Sequence, residues 1–358
     1  MIINDLSQIS DKNFFTIIIG SGPAGLTLAL ELEKKKINSI LIEAGSREYD
    51  AKELKFMQGN LIGNYYNRND ADYKMFPTKF TESRLRQFGG SSGHWGGACN
   101  LFDNSDFREW PIKKSDLDPY ILKTKKILNL KHKFFKENLN ENFNIYNLLW
   151  SRVRFGDKYF NYVKKSKFIF LSLNTVFINF NGKNGYIKSI TCYKKKYINL
   201  KANYYILNCG GVENSRLLLW SQSKKPELFN HRLPIGNFFM DHPWHRVGEG
   251  VIIRDKLFSY FMNNNIINTP IFSCFENMYL SMNSNFLKQK KILNSGIYIN
   301  FSDIKLNENF LNQLRCAAPR FVRKLTDIRK INDINHISID LVQEDQALYE
   351  NKITLSKK

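Results

Sequence analysis

The sequence predicts an α/β fold: a three-layer domain wound on a βαβ unit, joined to a second domain with a mixed, antiparallel sheet. Three observations carry this. Phe14–Ile19 is an unbroken run of apolar or β-branched residues, as in a fully buried strand. Gly20, Gly22 and Gly25 follow it at GxGxxG spacing, and an apolar helical run, Leu26–Leu32, leads to a second strand, Ser39–Ile42. From about residue 246 onward, strand-like segments alternate with loops, the pattern of an antiparallel domain. The 358 residues suffice for two domains and a large core.

Each part of the first unit has a chemical reading. Gly20 allows the tight turn, Gly22 lets a backbone approach a pyrophosphate, and Gly25 lets the helix pack close to the strand. The helix start supplies N–H groups and a partial positive charge to phosphates. Glu43 ends the second strand, 18 residues beyond Gly25. A carboxylate there accepts both hydroxyls of a ribose and repels a 2′-phosphate, which disfavours NADP. This is a Rossmann-like FAD/NAD(P)-binding pattern, and the spacing leaves NAD and FAD open. The Pro23-Ala24 filling of GSGPAG leans toward FAD. Gly20, Ser21, Gly22, Pro23, Ala24, Gly25 and Glu43 are therefore candidate cofactor residues.

Further along, residues 46–82 are polar and irregular, and 83–103 form a second glycine-rich loop, SRLRQFGGSSGHWGGACNLFD. Residues 115–130 read as a helix with Ser115 as N-cap and Asp116 and Asp118 in its first turn. Short strands are expected at Phe168–Leu173, Val176–Phe180, Tyr186–Tyr193, Tyr197–Leu200 and Tyr204–Cys209, with a turn at Asn181–Gly185. Gly210-Gly211 end the last strand, and Val212–Trp220 reads as a short helix opened by Glu213, which suits the positive helix end.

Composition narrows the function class. The net charge of +20 invites a nucleic-acid reading, but the lysines are scattered in short groups such as Lys34–Lys36, Lys164–Lys167 and Lys194–Lys196, with no nucleic-acid motif beside them. They read as solvated faces. No apolar run reaches the 18 residues that a membrane span needs, and the N-terminus shows no signal-peptide pattern. The five cysteines, Cys99, Cys192, Cys209, Cys274 and Cys316, are odd in number and widely spaced, which reads as reduced thiols in a cytoplasmic protein. No Cys/His cluster suggests a metal, and no nucleophile motif is present. His132, His231, His245 and His336 have no motif around them.

Four segments in order, IIIGSGPAG with Glu43, RQFGGSSGHWGG (Arg86–Gly97), NCGGVENSRLLL (Asn208–Leu219) and GNFFMDHP (Gly236–Pro243), resemble the glucose–methanol–choline (GMC) family of FAD-dependent oxidoreductases. EWPIKKSDLDPY (Glu109–Tyr120) resembles the sugar-oxidising branch, and Ser92–Trp95 is similar to the histidine-bearing segment of pyranose oxidase. The resemblance implies FAD as cofactor, with Arg86, Gly90, Ser91, His94, Val176 and Gly210 added to the binding set. It also implies a covalent link between His94 and the flavin as an alternative to simple contact. Trp95, between glycine pairs, reads as packing against the ligand. Cys209 reads as a small buried residue. Asp241-His242-Pro243 falls in the family's flavin domain, which makes His242 a structural histidine.

On this reading, residues 1–110 and 160–245 form a discontinuous FAD-binding domain. Residues 111–159 are a helical connection, and 246–358 are part of a substrate domain. The implied reaction is hydride transfer from the CH–OH group of an alcohol, sugar or polyol to flavin N5. The electron acceptor is left open among oxygen, a quinone and a haem partner. NKITLS (Asn351–Ser356) resembles a family strand that precedes the segment bearing the catalytic histidine. The expectation is therefore an incomplete substrate domain, no catalytic residue within this chain, and little turnover by it alone. The alternative is an inactive flavin-binding remnant.

Overall fold

A computed structural model describes residues 1–60, 62, 84–230, 232–253, 277–303 and 334–356. His231, Cys274, Cys316 and most of the polar stretch 46–82 lie outside the described residues. The chain divides into two units. The first is Met1–Gly97, Arg152–Met240 and Ala347–Lys358; the second is Ala98–Ser151 and Asp241–Gln346. Strands and helices are numbered along the chain.

The run Phe14–Ile19 forms β1 (Asn13–Ile19), α1 spans Pro23–Lys34, and β2 is Ser39–Ile42, as the sequence predicts. β1 pairs in parallel with β2 on one side and with β10 (Lys196–Leu207) on the other. β7 (Ile169–Ser172) extends the parallel set beyond β2. β8 (Val176–Lys183) and β9 (Tyr186–Lys194) add an antiparallel hairpin to β10, giving the order β7-β2-β1-β10-β9-β8.

Alternation along β1 separates two faces. Ile17 and Ile19 enter a core with Ile40, Ile42, Phe177, Phe180, Ile190 and Leu217, the last from α5 (Gly211–Lys224). Ile18 faces the other way, against α1, which packs with α4 (Phe155–Lys165) beside β2 and β7. Helices on both faces of a sheet make three layers. Each isoleucine buried here contributes about 1.5–3 kcal/mol relative to exposure.

Three local expectations are corrected. The break expected at Lys201–Asn203 does not occur, because β10 is one twelve-residue strand. Its first half pairs with β9 and its second with β1, so sheet pairing runs straight through the expected break. The β8–β9 turn lies at Asn184-Gly185 rather than over 181–185; both have positive φ (53° and 76°), as a two-residue hairpin turn requires. Asn351–Ser356 forms no strand; Ile353 N–H donates to Gly236 O at 2.8 Å and Phe239 N–H to Asn351 O at 2.8 Å.

The second unit holds a six-stranded antiparallel sheet, β11-β14-β13-β12-β5-β4. Its strands are β4 (Lys136–Asn138), β5 (Phe143–Asn147), β11 (Trp244–Ile253), β12 (Asn277–Met282), β13 (Ser295–Asp303) and β14 (Ile334–Gln343). A small ladder pairs β3 (Ala98–Cys99) with β6 (Leu149–Trp150). The region 111–159 is therefore not a helical connection: strands β4–β6 follow its helices, and β4 and β5 belong to this sheet. The predicted helix 115–130 becomes α2 (Lys114–Leu117), a 3-10 turn at Pro119, and α3 (Ile121–Ile127). Its N-cap is Lys113 rather than Ser115, with the Asp116 carboxylate accepting from Lys113 N–H at 2.8 Å. α6 is Ser284–Lys290. Asp241–Pro243 belongs to this unit, not to the first.

One row of this sheet is polar from edge to edge. Lys136, Tyr146, Tyr279, Tyr298, Asp340 and Arg246 are successive register partners across the six strands. Asp340 is 1% exposed and accepts from Arg246 Nε at 3.3 Å. Asp103 accepts from Tyr146 Oη (2.6 Å) and Lys136 Nζ (2.7 Å).

Candidate cofactor site

The site is assembled at the carboxyl ends of the parallel strands, where open α/β sheets bind ligands. Pairing continues past the strands themselves. Gly20 N–H donates to Ile42 O (2.8 Å), Asn208 N–H to Ile19 O (2.7 Å) and Glu43 N–H to Ser172 O (2.9 Å). The three motif glycines are required for different reasons. Gly20 has φ +100°, and a Cβ there would lie 2.6 Å from Asn208 O. A Cβ on Gly25 would lie 2.1 Å from Gly20 O. A Cβ on Gly22 would meet only Asn208 O, at 3.9 Å. Protein packing thus explains Gly20 and Gly25, while the space beside Gly22 is open. Gly22 caps α1, whose first-turn N–H groups have no partners within the helix.

The second glycine loop lies directly on the first. Gly89 N–H donates to Ser21 O at 3.1 Å, and a Cβ on Gly90 would lie 2.9 Å from Gly22 Cα. The loop is a 3-10 turn, Gly90–Gly93, entered through Gly89 at φ +91°. Ser92 is buried beneath it; its hydroxyl donates to Gly89 O (2.6 Å) and accepts from Phe155 N–H (3.0 Å). Gly89 and Gly156 touch backbone to backbone. Trp95 shares in this anchoring: its Nε1 donates to Val153 O at 3.1 Å and its ring meets Phe155 edge-on at 5.8 Å.

Glu43 ties the first loop to the segment after β2. Its Oε2 accepts from Ser21 N–H (3.1 Å) and Ser21 hydroxyl (2.6 Å), and its Oε1 from Gly45 N–H (2.9 Å). Burial raises its pKa above the ordinary 4.5, outweighing these hydrogen bonds. Val176 opens β8 beside this corner, where Thr175 N–H donates to Glu43 O and Asn174 N–H to Gly45 O, both at 2.9 Å. Gly210, at φ +83°, caps α5; nothing lies within 4 Å of a Cβ built on it or on Gly211.

The structure therefore brings Gly20–Gly25, Glu43, Gly90, Ser91, Val176 and Gly210 around one set of strand ends. Arg86 reaches the same corner, its Nη2 donating to Ala44 O at 3.5 Å, and it also pairs with Glu53 at 2.8 Å and lies over the Phe56 ring at 4.5 Å. His94 is exposed at the end of the second loop, and partial burial, with Arg154 nearby, lowers its pKa below the ordinary imidazole value. Cys209 is half-buried, its Sγ donating to Ile19 O at 3.2 Å, and burial pushes its thiol pKa well up. Glu213 is held between Arg84 (3.4 Å) and Arg216 (2.5 Å).

Residues missed by sequence reasoning include Gly45, Gly156 and Asn208. A Cβ on Gly45 would lie 2.0 Å from Arg86 O, and Asn208 Nδ2 is a buried donor without a hydrogen-bond partner. Only the glycines carry a sequence signal, and it is too common to single them out. Among the described residues Cys99, Cys192 and Cys209 form no disulfide, and no group of three or more His, Cys, Asp or Glu could hold a metal. No described helix is long and apolar enough to cross a membrane.

No protein-family model and no curated protein matches the chain in sequence. Solved structures do match it in fold. A FAD-dependent oxidoreductase from Chaetomium thermophilum aligns at TM-score 0.50 and 10% identity, over 93% of this chain and 74% of its own. Pyridoxine 4-oxidase from Mesorbium loti aligns at 0.49 and 14%, over 92% and 71%. Formate oxidase from Aspergillus oryzae RIB40 aligns at 0.48 and 13%, over 92% and 72%. The fold is the α/β fold of the FAD-dependent oxidoreductase from Chaetomium thermophilum.

Proposed function

We propose that the chain binds FAD across its two glycine loops and serves a FAD-dependent oxidoreductase of the GMC type, acting on the CH–OH group of a small alcohol, with a sugar or polyol favoured. The observation that carries this reading is the seating of Gly90 on Gly22 beside a buried carboxylate at the strand ends. A second loop closing on the first suits a ligand longer than one phosphate-binding turn can hold. The residues present fit FAD. Gly22 leaves room for a pyrophosphate, the α1 N-terminus favours its charge, and Glu43 is placed for the ribose. Gly90, Ser91 and Gly210 offer backbone approaching at different edges, and Val176 closes the ribose corner.

When bound, FAD supplies the two-electron redox couple, while the protein orients and desolvates it. We assign His94 to the flavin ring, and no described residue to the general base that removes the alcohol proton. The branch assignment rests on the resemblances of Glu109–Tyr120 and Ser92–Trp95.

The covalent version of the His94 assignment has a direct test. The protein is precipitated in acid and digested, and the His94 peptide is weighed by mass spectrometry. A flavinylated peptide supports the bond. Free flavin with an unmodified peptide removes the bond and leaves the contact. The reaction class is tested by assaying sugars, polyols and simple alcohols with an artificial electron acceptor. Reduction of the acceptor without any dependence on added alcohol contradicts a CH–OH donor.

A further inference from the structure

The fold gathers lysines that the sequence scatters. Val176–Leu207, the antiparallel meander β8–β10, holds six lysines and no Asp or Glu. Lys183 and Lys188 sit by the β8–β9 turn, and Lys194, Lys195 and Lys196 make the β9–β10 turn at the other end. Lys194 is tied to the fold, donating to Ile3 O (2.8 Å) and Ser172 Oγ (3.1 Å), while the other five are exposed. Lys194 and Lys196 are also register partners, and like charges directly opposite are unfavourable in a ladder. Asp5 lies near both and offsets part of this charge.

Between the two turns, one face of the meander is aromatic and polar. Ile190, Cys192, Ile198 and Leu200 enter the core, so Thr191, Tyr193, Tyr197 and Asn199 point the opposite way by alternation. Tyr193 and Tyr197 are register partners, 41% and 70% exposed, with ring centroids 5.1 Å apart. Beside them runs a hydrogen-bonded chain: Asn181 Nδ2 donates to Thr191 Oγ1, and the Thr191 hydroxyl to Asn199 Oδ1, both at 2.8 Å.

Such a face suits single-stranded RNA. Bases stack on exposed aromatic rings, lysines take phosphates, and hydroxyl and amide side chains reach base edges and the 2′-hydroxyl. A lipid surface is disfavoured, because the row of amides and hydroxyls has nothing apolar to insert. An acidic protein would use the lysines but has no need of the tyrosine pair. At about 3.3 Å per residue the nine-residue β9 spans roughly 30 Å, long enough for a site of about four nucleotides. We propose that this face of β8–β10 binds single-stranded RNA, with Tyr193 and Tyr197 as base-stacking residues and the lysines at its two ends as phosphate contacts. The sequence reading of Lys194–Lys196 as a solvated face changes accordingly. The assignment does not rest on the FAD reading.

The test titrates the full chain against a labelled oligouridylate of about twelve residues, followed by fluorescence anisotropy over about 50–200 mM salt. Tyr193→Ala and Tyr197→Ala should each weaken binding roughly 5–100-fold, and Tyr193→Phe, which keeps the ring, should stay within about twofold of wild type. Lys195→Ala combined with Lys196→Ala should reduce the salt slope by about 1.4. Lys164→Ala combined with Lys165→Ala removes the same charge from exposed positions of α4, on the other side of the parallel sheet, and should leave affinity within about twofold. Binding that ignores both tyrosines, or falls as much with the α4 pair, is plain charge attraction and overturns the proposal. Equal affinity of the wild-type chain for the matching oligodeoxyuridylate, for polyglutamate or for phosphatidylserine vesicles overturns it as well, as does no binding at all. These wild-type comparisons decide the matter even if a variant does not fold.

Discussion

Gly22 and Gly25 sit three residues apart and answer to different forces. A side chain at Gly25 would collide with Gly20 O inside the protein, whereas one at Gly22 would meet almost nothing. Flavin-free Gly25→Ala should therefore lose about 1–3 kcal/mol of stability from overpacking. Gly22→Ala should stay within about 1 kcal/mol of wild type, a cap-level effect, yet retain FAD at least about tenfold less well, since its methyl group enters pyrophosphate space. Denaturant melts of the flavin-free chains and FAD titrations check both, and equal stability losses would contradict the argument. Glu43 gives a second residue-scale prediction. Its folded pKa is raised, so its contribution to stability is full below the ordinary value of 4.5 and is lost as pH rises through the folded value. Glu43→Gln should show a smaller loss over that window than wild type. An identical pH profile for the two would show that the carboxyl is not desolvated. The sequence revealed the motif glycines and Glu43 because they are local and regularly spaced. Ser21's bonds to Glu43 and Gly89 span 22 and 68 residues, and no local pattern encodes them.

At the scale of elements, βαβ boundaries were legible where hydrophobic runs are pure: Ser39–Ile42 was placed to the residue. The strands of 136–150 were missed because polar residues are buried in them. Asn147 is 1% exposed, accepting from Phe135 N–H and donating to Lys133 O, both at 2.9 Å. A buried asparagine satisfied by nearby backbone breaks the apolar alternation that marks a strand. The polar row across the second sheet hides in the same way, and its energetics can be tested at Asp340. Its ionic partner Arg246 is 37% exposed, so solvent screening reduces the pair's worth. Removing the arginine still leaves a buried carboxylate uncompensated. Arg246→Ala should cost on the order of 2 kcal/mol, and Asp340→Asn, which deletes the charge and keeps the shape, should cost less. Thermal or denaturant unfolding of both variants measures this, and the reverse order would contradict a charged Asp340.

At the scale of the molecule, the sequence reading gives the first domain two stretches, 1–110 and 160–245, and leaves residues 246–358 to the second. The first unit draws on three separate stretches, the last of them Ala347–Lys358, because Ile353 and Asn351 pair with the Gly236–Phe239 segment. Contacts between stretches more than a hundred residues apart cannot be read from periodicity. The net charge of +20 has no counterpart in the proposed site, where glycine backbone and one buried glutamate dominate. The most direct measurement on the central claim is the identity of the nucleotide that the purified full chain carries. The protein is denatured and digested, and the released or peptide-bound nucleotide is identified by chromatography and mass. The account predicts FAD in near-stoichiometric amount, free or attached at His94. NAD in its place, or a chain that carries no nucleotide and fails to bind added FAD, would contradict it.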